Sequence, residues 1–227
     1  MSTPHDVPAG PHPRFAALLD RQAGVVGRAQ ALAAGLAPRE VDRLVARRLW
    51  RPVHPRVYLA AGRPLTDEAR VRAAALWAGD GAVVVGAAAV WWHGLGSGGS
   101  WDRAPATIGV AVPRRCPAER PGVRARRRLL PPADVVTLRG LAVPVRPLAL
   151  LDAAVEAGPG GAALLSRALR GRPDLTERQL RAVAARSTGT ATATRLIATV
   201  ASRREDDRDV DPTRPRGGMM AISESLQ

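Results

Sequence analysis

The arginine side chains have the spacing that points most clearly to chemistry. The chain has 34 lysine and arginine residues together against 20 acidic ones, and every one of the 34 is an arginine. Arg39, Arg43 and Arg47 recur at every fourth position, so on a helix they would share one face. The planar guanidinium group pairs with phosphate oxygens and with the edge of guanine. This spacing therefore predicts a helix face that binds a polyanion.

Residues that could support catalysis or bind a metal are few and scattered. The histidines have no partner at metal-ligand spacing, and the single cysteine, Cys116, has no paired base. The absence of lysine excludes a phosphate-loop lysine and a Schiff base. We therefore expect no enzymatic activity, no cofactor and no metal, and the lone cysteine favours a reducing compartment. The four histidines are His5, His12, His54 and His93.

The elements that would position the regularly spaced arginines lie close together near the N-terminus. Three short helices are predicted, with Gly35 in the turn before the third helix and Pro38 in its first turn. Two β-prone runs follow on either side of a proline-containing turn, which predicts a hairpin. Together these elements indicate a winged helix-turn-helix over residues 14–62. The predicted helices span residues 14–22, 27–34 and 38–48, and the predicted hairpin spans residues 50–59.

A helix fits the major groove of duplex DNA, so the arginines of this winged unit are the predicted DNA-binding residues. Two alternatives stay open. The unit could be a small helical subdomain whose arginines are solvated, or it could bind a protein partner. The predicted DNA-binding residues are Arg28, Arg39, Arg43, Arg47, Arg48, Arg51 and Arg56.

The remainder of the chain predicts a mixed α/β domain over residues 63–200 that ends in a helical segment, so the expected fold class is α+β. The first 13 residues and a charged tail over residues 201–227 are expected to be disordered. Helices are predicted over residues 66–78, 87–92, 147–157, 160–170, 176–187 and 190–203. Strands are predicted over residues 82–85, 107–112, 122–127, 135–138 and 141–145.

The positive charge is concentrated in two regions. Residues 1–62 contain nine arginines against four carboxylates, and residues 103–146 contain ten against two. In the second region a predicted edge strand carries alternating arginines, which could track phosphates or could protect the edge from aggregation. The sequence favours neither of these two explanations over the other. The second basic surface is predicted to comprise Arg114, Arg115, Arg124, Arg126, Arg127 and Arg128, with Arg120 beside them.

No membrane or export signal is visible in the sequence. The N-terminal residues 1–13 have no apolar run, so they do not resemble a signal peptide. The longest apolar stretch, residues 82–92, contains Gly86 and is too short to span a bilayer. We expect a cytoplasmic protein whose partner is double-stranded DNA and which has no membrane partner.

Several strings of residues form a pattern known from one family. They are Arg21-Gln22-Ala23-Gly24-Val25-Val26, Ala29-Gln30-Ala31, Ala34-Gly35-Leu36, Trp50-Arg51-Pro52-Val53, Val57-Tyr58-Leu59, Ala87-Ala88-Ala89-Val90-Trp91-Trp92-His93-Gly94-Leu95 and Ile108-Gly109-Val110-Ala111-Val112-Pro113. Together they resemble the AbiEi-type antitoxins of type IV toxin–antitoxin, or abortive-infection, systems, over about residues 14–200. The resemblance implies a winged helix-turn-helix that binds its own promoter and represses transcription. It also implies a second domain that opposes a nucleotidyltransferase toxin without forming a stable complex with it.

The chain departs from the pattern of these relatives at several positions. Gly86-Ala87 stands where many relatives have Ser-His, and Gly140-Leu141-Ala142-Val143-Pro144 lacks their threonine. The arginine that relatives have ahead of Leu150-Leu151-Asp152 is also missing. Any polar role that this arginine and the missing threonine have in the relatives is therefore in doubt for this chain. Actinobacterial relatives often continue into a small Vsr-like endonuclease domain, and residues 223–227 resemble the helix that opens it. The alternative interpretation is therefore a truncated relative of a Vsr-like endonuclease that keeps only the DNA-binding and middle domains.

Overall fold

Helices and short strands follow one another along the whole described part of the chain, which confirms the predicted α+β class. The predicted N-terminal segment before Pro13 and the predicted tail beyond Asp209 lie outside this part. The computed structural model describes residues 13–96, 102–114, 120–170, 172–186 and 190–209.

The N-terminal part consists of three helices and a three-stranded antiparallel sheet. The elements are α1 (Pro13–Arg21), β1 (Val25–Gly27), α2 (Arg28–Ala33), α3 (Pro38–Ala46), β2 (Trp50–His54) and β3 (Val57–Ala60). In the sheet, β3 lies between β1 and β2. The three predicted helices and the predicted hairpin are confirmed to within two residues at each end.

The sequence did not predict strand β1, because three residues are too few to show an alternating pattern. The strand pairs with β3 in the register Val25↔Leu59. Gly24 precedes it with φ +80°, and a Cβ there would lie 2.7 Å from Cγ of Arg63. A glycine is therefore needed where the chain turns from α1 into the sheet.

Helix α3 ends two residues earlier than predicted. Pro38 begins it, as expected, and Gly35 takes φ +100° in the preceding turn. Arg47 forms the C-cap, and Arg48 takes a left-handed φ of +58°. The chain reverses here because Trp50 must reach the core, where its ring stacks 5.5 Å from both Phe15 and Tyr58.

Helix α4 (Asp67–Ala78) lies between two sheets. The hydroxyl of Thr66 accepts a hydrogen bond from the N–H of Ala69 (3.1 Å), which caps the first turn. Ala69 and Ala73 pack against β1 and β3, whereas Ala74 packs against the second sheet. The helix is buried on both sides because alanine lets both sheets approach closely. The predicted domain boundary between residues 62 and 63 is thus followed by a helix whose buried side chains contribute to two hydrophobic clusters.

The second sheet and a hairpin form the middle of the chain. The sheet has the order β4-β5-β6, in which β4 and β5 are antiparallel and β5 and β6 are parallel. Strand β6 is an edge strand, as predicted. Its register places Arg124 beside Gly109 of β5. The elements are β4 (Val83–Val85), α5 (Gly86–Trp92), β5 (Ile108–Val112), β6 (Val123–Arg127) and the hairpin β7 (Val135–Leu138) and β8 (Leu141–Pro144).

Four helices surround a leucine-rich core at the C-terminal end. They are α6 (Arg146–Glu156), α7 (Gly161–Leu169), α8 (Glu177–Arg186) and α9 (Thr190–Asp209). Two short 3-10 turns, Pro132–Asp134 and Gly158–Gly160, precede β7 and α7. Leu148, Leu150 and Leu165 are completely buried in this core.

Helix α9 extends beyond the predicted start of the disordered tail, so that predicted start is wrong. The tail was expected from residue 201, but the helix continues to Asp209. Arginine and glutamate are good helix formers, and extending an existing helix is much easier than starting one. No helix among the described residues is both long and apolar enough to cross a membrane.

Candidate nucleic-acid interface

Helix α3 presents an apolar face to the core and arginines to solvent. Val41 is completely buried, and Leu44 and Val45 pack partly against the same cluster. Arg39 and Arg43, one turn apart, are exposed on the other side. This is the orientation that the sequence pattern predicts.

The hairpin adds exposed arginines beside α3. Arg51 is exposed on β2, and Arg56 is exposed in the two-residue turn between β2 and β3. Arg47 and Arg48, also exposed, connect the end of α3 to β2. The predicted residues therefore lie on consecutive elements of the N-terminal unit: α3, the turn after it, β2 and the hairpin turn.

Arg28 differs from the other predicted residues because its guanidinium is bound within the protein. It donates hydrogen bonds of 2.6 and 3.3 Å to the carboxylate of Asp42 on α3. This contact raises the pKa of Arg28 and lowers the pKa of Asp42. The backbone N–H of Arg28 also donates to the carbonyl of Arg56 (2.7 Å). Arg28 therefore connects α2 with both α3 and the hairpin turn.

The arginines of the described residues divide into two groups by their partners. None of Arg39, Arg43, Arg47, Arg48, Arg51 and Arg56 has an ion pair with a described carboxylate. Many arginines elsewhere do have one, so the six form a concentration of uncompensated charge. The paired arginines include Arg63 with Asp20, Arg70 with Asp67, Arg72 with Glu68, Arg128 with Asp152, Arg146 with Asp174, Arg181 with Glu177 and Arg186 with Asp134.

The structure divides the second predicted basic surface. Arg124, Arg126 and Arg127 are exposed on edge strand β6 and have no ion pair with a described carboxylate, and Arg114 and Arg120 are exposed nearby. Arg115 lies outside the described residues. Arg124, Arg126 and Arg127 together are called the β6 arginines.

Arg128 is held away from this surface by a carboxylate of α6. It donates a 2.7 Å hydrogen bond to Asp152. Burial raises the pKa of Asp152, while the Arg128 guanidinium opposes that rise. Arg128 therefore does not belong to the second basic surface, because its guanidinium is bound in a half-buried ion pair with Asp152.

Trp77 of α4 packs toward both the second sheet and the hairpin. The Trp77 ring packs against the cluster that contains Val123 of β6 and against the cluster that contains Val57 of β3. Its ring centroid lies 5.8 Å from that of His54, at the end of β2. Burial lowers the pKa of His54, and the nearby charge of Arg120 lowers it further. The turn before β6 therefore lies close to the hairpin.

Arg139 has a structural role that the sequence analysis missed. It occupies the β7–β8 turn with φ +47°. Its guanidinium lies 3.9 Å from the ring centroid of buried Trp92 and donates to the Trp92 carbonyl (2.6 Å). The indole N–H of Trp92 in turn donates to Leu138 (2.9 Å). The Arg139-Gly140 pair indicates a turn, but it does not reveal a partner 47 residues away.

The described residues do not form a metal centre. Within the described ranges, no group of three or more histidine, cysteine, aspartate and glutamate side chains is arranged to hold a metal ion. His93 instead contacts the carbonyl of Pro144 through Nε2 (2.7 Å), and burial lowers the pKa of its imidazole. Cys116, His5 and His12 lie outside the described residues.

No protein-family model matches this chain, and no curated protein does so either. The resemblance to the AbiEi-type antitoxins therefore stays a prediction that rests on the quoted residues.

Proposed function

We propose that this protein binds duplex DNA, with α3 in the major groove and the β2–β3 hairpin against the adjoining backbone. The observation that carries the proposal is the group of six exposed arginines on α3 and the hairpin, none paired with a described carboxylate. Arginines that only solubilise a surface have no reason to collect around one helix and one turn. A local excess of positive charge attracts a polyanion over the distance of a Debye length.

The dimensions of α3 suit this role. Its nine residues make a rod about 14 Å long, and the major groove is about 12 Å wide. Arg39 and Arg43 are one helical turn apart, about 6 Å between Cβ atoms, which is close to two base-pair steps. Both can therefore reach base edges from a single position of the helix.

More particularly, we propose an antitoxin-like transcriptional autorepressor of a type IV toxin–antitoxin system. The family-like strings coincide with elements that build the proposed interface: Val25-Val26 lies in β1, Trp50-Arg51-Pro52-Val53 in β2 and Val57-Tyr58-Leu59 in β3. On this proposal the protein acts without catalysis or cofactor. Its partners are its own promoter and, without a stable complex, a nucleotidyltransferase toxin.

The test of DNA binding is a gel-shift experiment on the DNA upstream of the protein's own gene. Changing Arg39→Ala and Arg43→Ala together should abolish retention of that DNA, because both proposed base contacts are lost. The matched control is Arg167→Ala with Arg178→Ala, which removes two exposed arginines from α7 and α8. If the α3 variant binds as tightly as the control, α3 is not the recognition helix. Rescue of growth against a co-expressed cognate toxin tests the antitoxin role separately.

A further inference from the structure

Arg48 and Arg56 occupy backbone conformations that favour glycine. Their φ angles are +58° and +62°, in the left-handed region. A side chain with a Cβ is disfavoured there, and glycine or asparagine is the usual residue. Arg48 lies between α3 and β2, and Arg56 lies in the turn between β2 and β3. The two positions therefore flank the hairpin strand that follows the proposed recognition helix.

Contacts within the protein do not explain these two side chains. Four non-glycine residues of the described ranges have positive φ: Ala23, Arg48, Arg56 and Arg139. The Arg139 side chain stacks on Trp92 and binds its carbonyl, which offsets the strain at that turn. Arg48 and Arg56 are exposed, and their side chains form no hydrogen bond or ion pair with a described residue. A glycine at either position could keep the same backbone hydrogen bonds.

The backbone at both positions is held firmly although the side chains are free. The N–H of Arg48 donates to the carbonyl of Val45 (3.0 Å), and the carbonyl of Arg56 accepts from Arg28 (2.7 Å). Because Arg28 also donates to Asp42 of α3, one residue connects the hairpin turn to α3. A non-glycine residue in the left-handed region whose side chain makes no contact within the protein is a candidate functional position.

We propose that the guanidinium groups of Arg48 and Arg56 bind phosphates of the same duplex that α3 enters, one from the end of α3 and one from the hairpin turn. The left-handed backbone sets the direction in which each side chain leaves the surface. This inference rests on the proposed function, because it needs a bound duplex. It separates these two arginines, as backbone contacts, from Arg39 and Arg43, as base contacts.

The experiment compares Arg48→Gly and Arg56→Gly with Arg139→Gly in the full chain. Binding is measured on the upstream DNA and on a scrambled duplex at several salt concentrations, and stability is measured by urea unfolding. Arg48→Gly and Arg56→Gly should unfold at the same or a higher urea concentration, since the strain is relieved. Each should weaken binding to both duplexes equally, by about fivefold at low salt, and reduce the salt slope by roughly one.

Arg139→Gly provides the contrast, because it should unfold at lower urea and leave the salt slope unchanged. The inference is wrong if the two glycine variants bind both duplexes as tightly as the wild type does, or if they unfold at lower urea. It is also wrong if the loss of affinity is confined to the upstream DNA, because that result indicates base contact. A wild-type protein that retains neither duplex overturns the proposed function itself. These outcomes are distinguishable because the wild-type measurement comes first.

Discussion

At the scale of single residues, the partner of each arginine indicates its role. Arginines that meet a carboxylate, such as Arg186 with the fully buried Asp134, hold elements together. Exposed arginines without such a partner keep their charge available to a ligand. Arg28 belongs to the first group although its position in the sequence suggests the second. Its two connections, to α3 and to the hairpin turn, make it a positioning residue of the proposed interface.

The role of Arg28 can be tested with the variants Arg28→Ala and Asp42→Ala and their combination. If the pair positions α3, each single variant should reduce the preference for upstream over scrambled DNA, and the double variant should be no worse than either. The reason is that both variants break one contact, so their effects do not add. The two variants change the net charge of the protein in opposite directions. Because each charge change affects the affinity for both duplexes alike, it largely cancels in the ratio of the two affinities. An Asp42→Ala variant that keeps the full preference would instead support direct DNA contact by Arg28.

At the scale of elements, edge strand β6 has two explanations. Charged side chains protect an exposed strand edge from pairing with another chain, and three exposed arginines do this well. The turn before β6 also lies near the hairpin, where the charge of Arg120 acts on His54, so on the proposed function the charge of the strand would add to the attraction for DNA. Edge protection needs only polarity, whereas phosphate contact needs positive charge. A change from arginine to glutamine separates the two.

We expect that replacing the β6 arginines with glutamine will lower the salt slope of duplex binding by up to about three, with sequence preference unchanged. Glutamine keeps the edge polar, so solubility should stay constant. The control replaces Arg167, Arg178 and Arg195 with glutamine, which removes the same charge from exposed positions on α7, α8 and α9. Equal salt slopes in the two triple variants would mean that β6 carries its arginines only as edge protection.

Local signals in the sequence identified most elements, and tertiary contacts account for what they missed. Gly35 and Pro38 mark the turn and the start of α3, because each has a backbone preference that acts over one or two residues. The Arg28–Asp42 and Arg128–Asp152 pairs join residues 14 and 24 positions apart. Only the docked fold brings them together, so spacing along the chain could not distinguish these arginines from the free ones.

At the scale of the whole molecule, α4 makes the N-terminal unit and the middle of the chain parts of one structure. Ala73 is 1% exposed toward the first sheet, and Ala74 is completely buried toward the second. Trp77 also packs against both hydrophobic clusters, one of which contains Val57 of β3 and the other Val123 of β6. Inter-domain linkers usually have few contacts across them, which allows the domains to move independently. Here a buried helix occupies that place, so the proposed DNA-binding surface and β6 should keep a fixed relative position.

Hydrogen exchange of the variants Ala73→Gly and Ala74→Gly tests this expectation. Each change removes a buried methyl group and lowers helix propensity, a loss of about 1 to 2 kcal/mol. If one cooperative unit contains both sheets, each variant should lower the protection of amides in β3 and in β5 by the same free energy. Two independent units would respond differently: Ala73→Gly would affect mainly β3, and Ala74→Gly mainly β5. A shared response means that whatever stabilises the middle of the chain also stabilises the surface proposed to bind DNA, because both depend on the same helix.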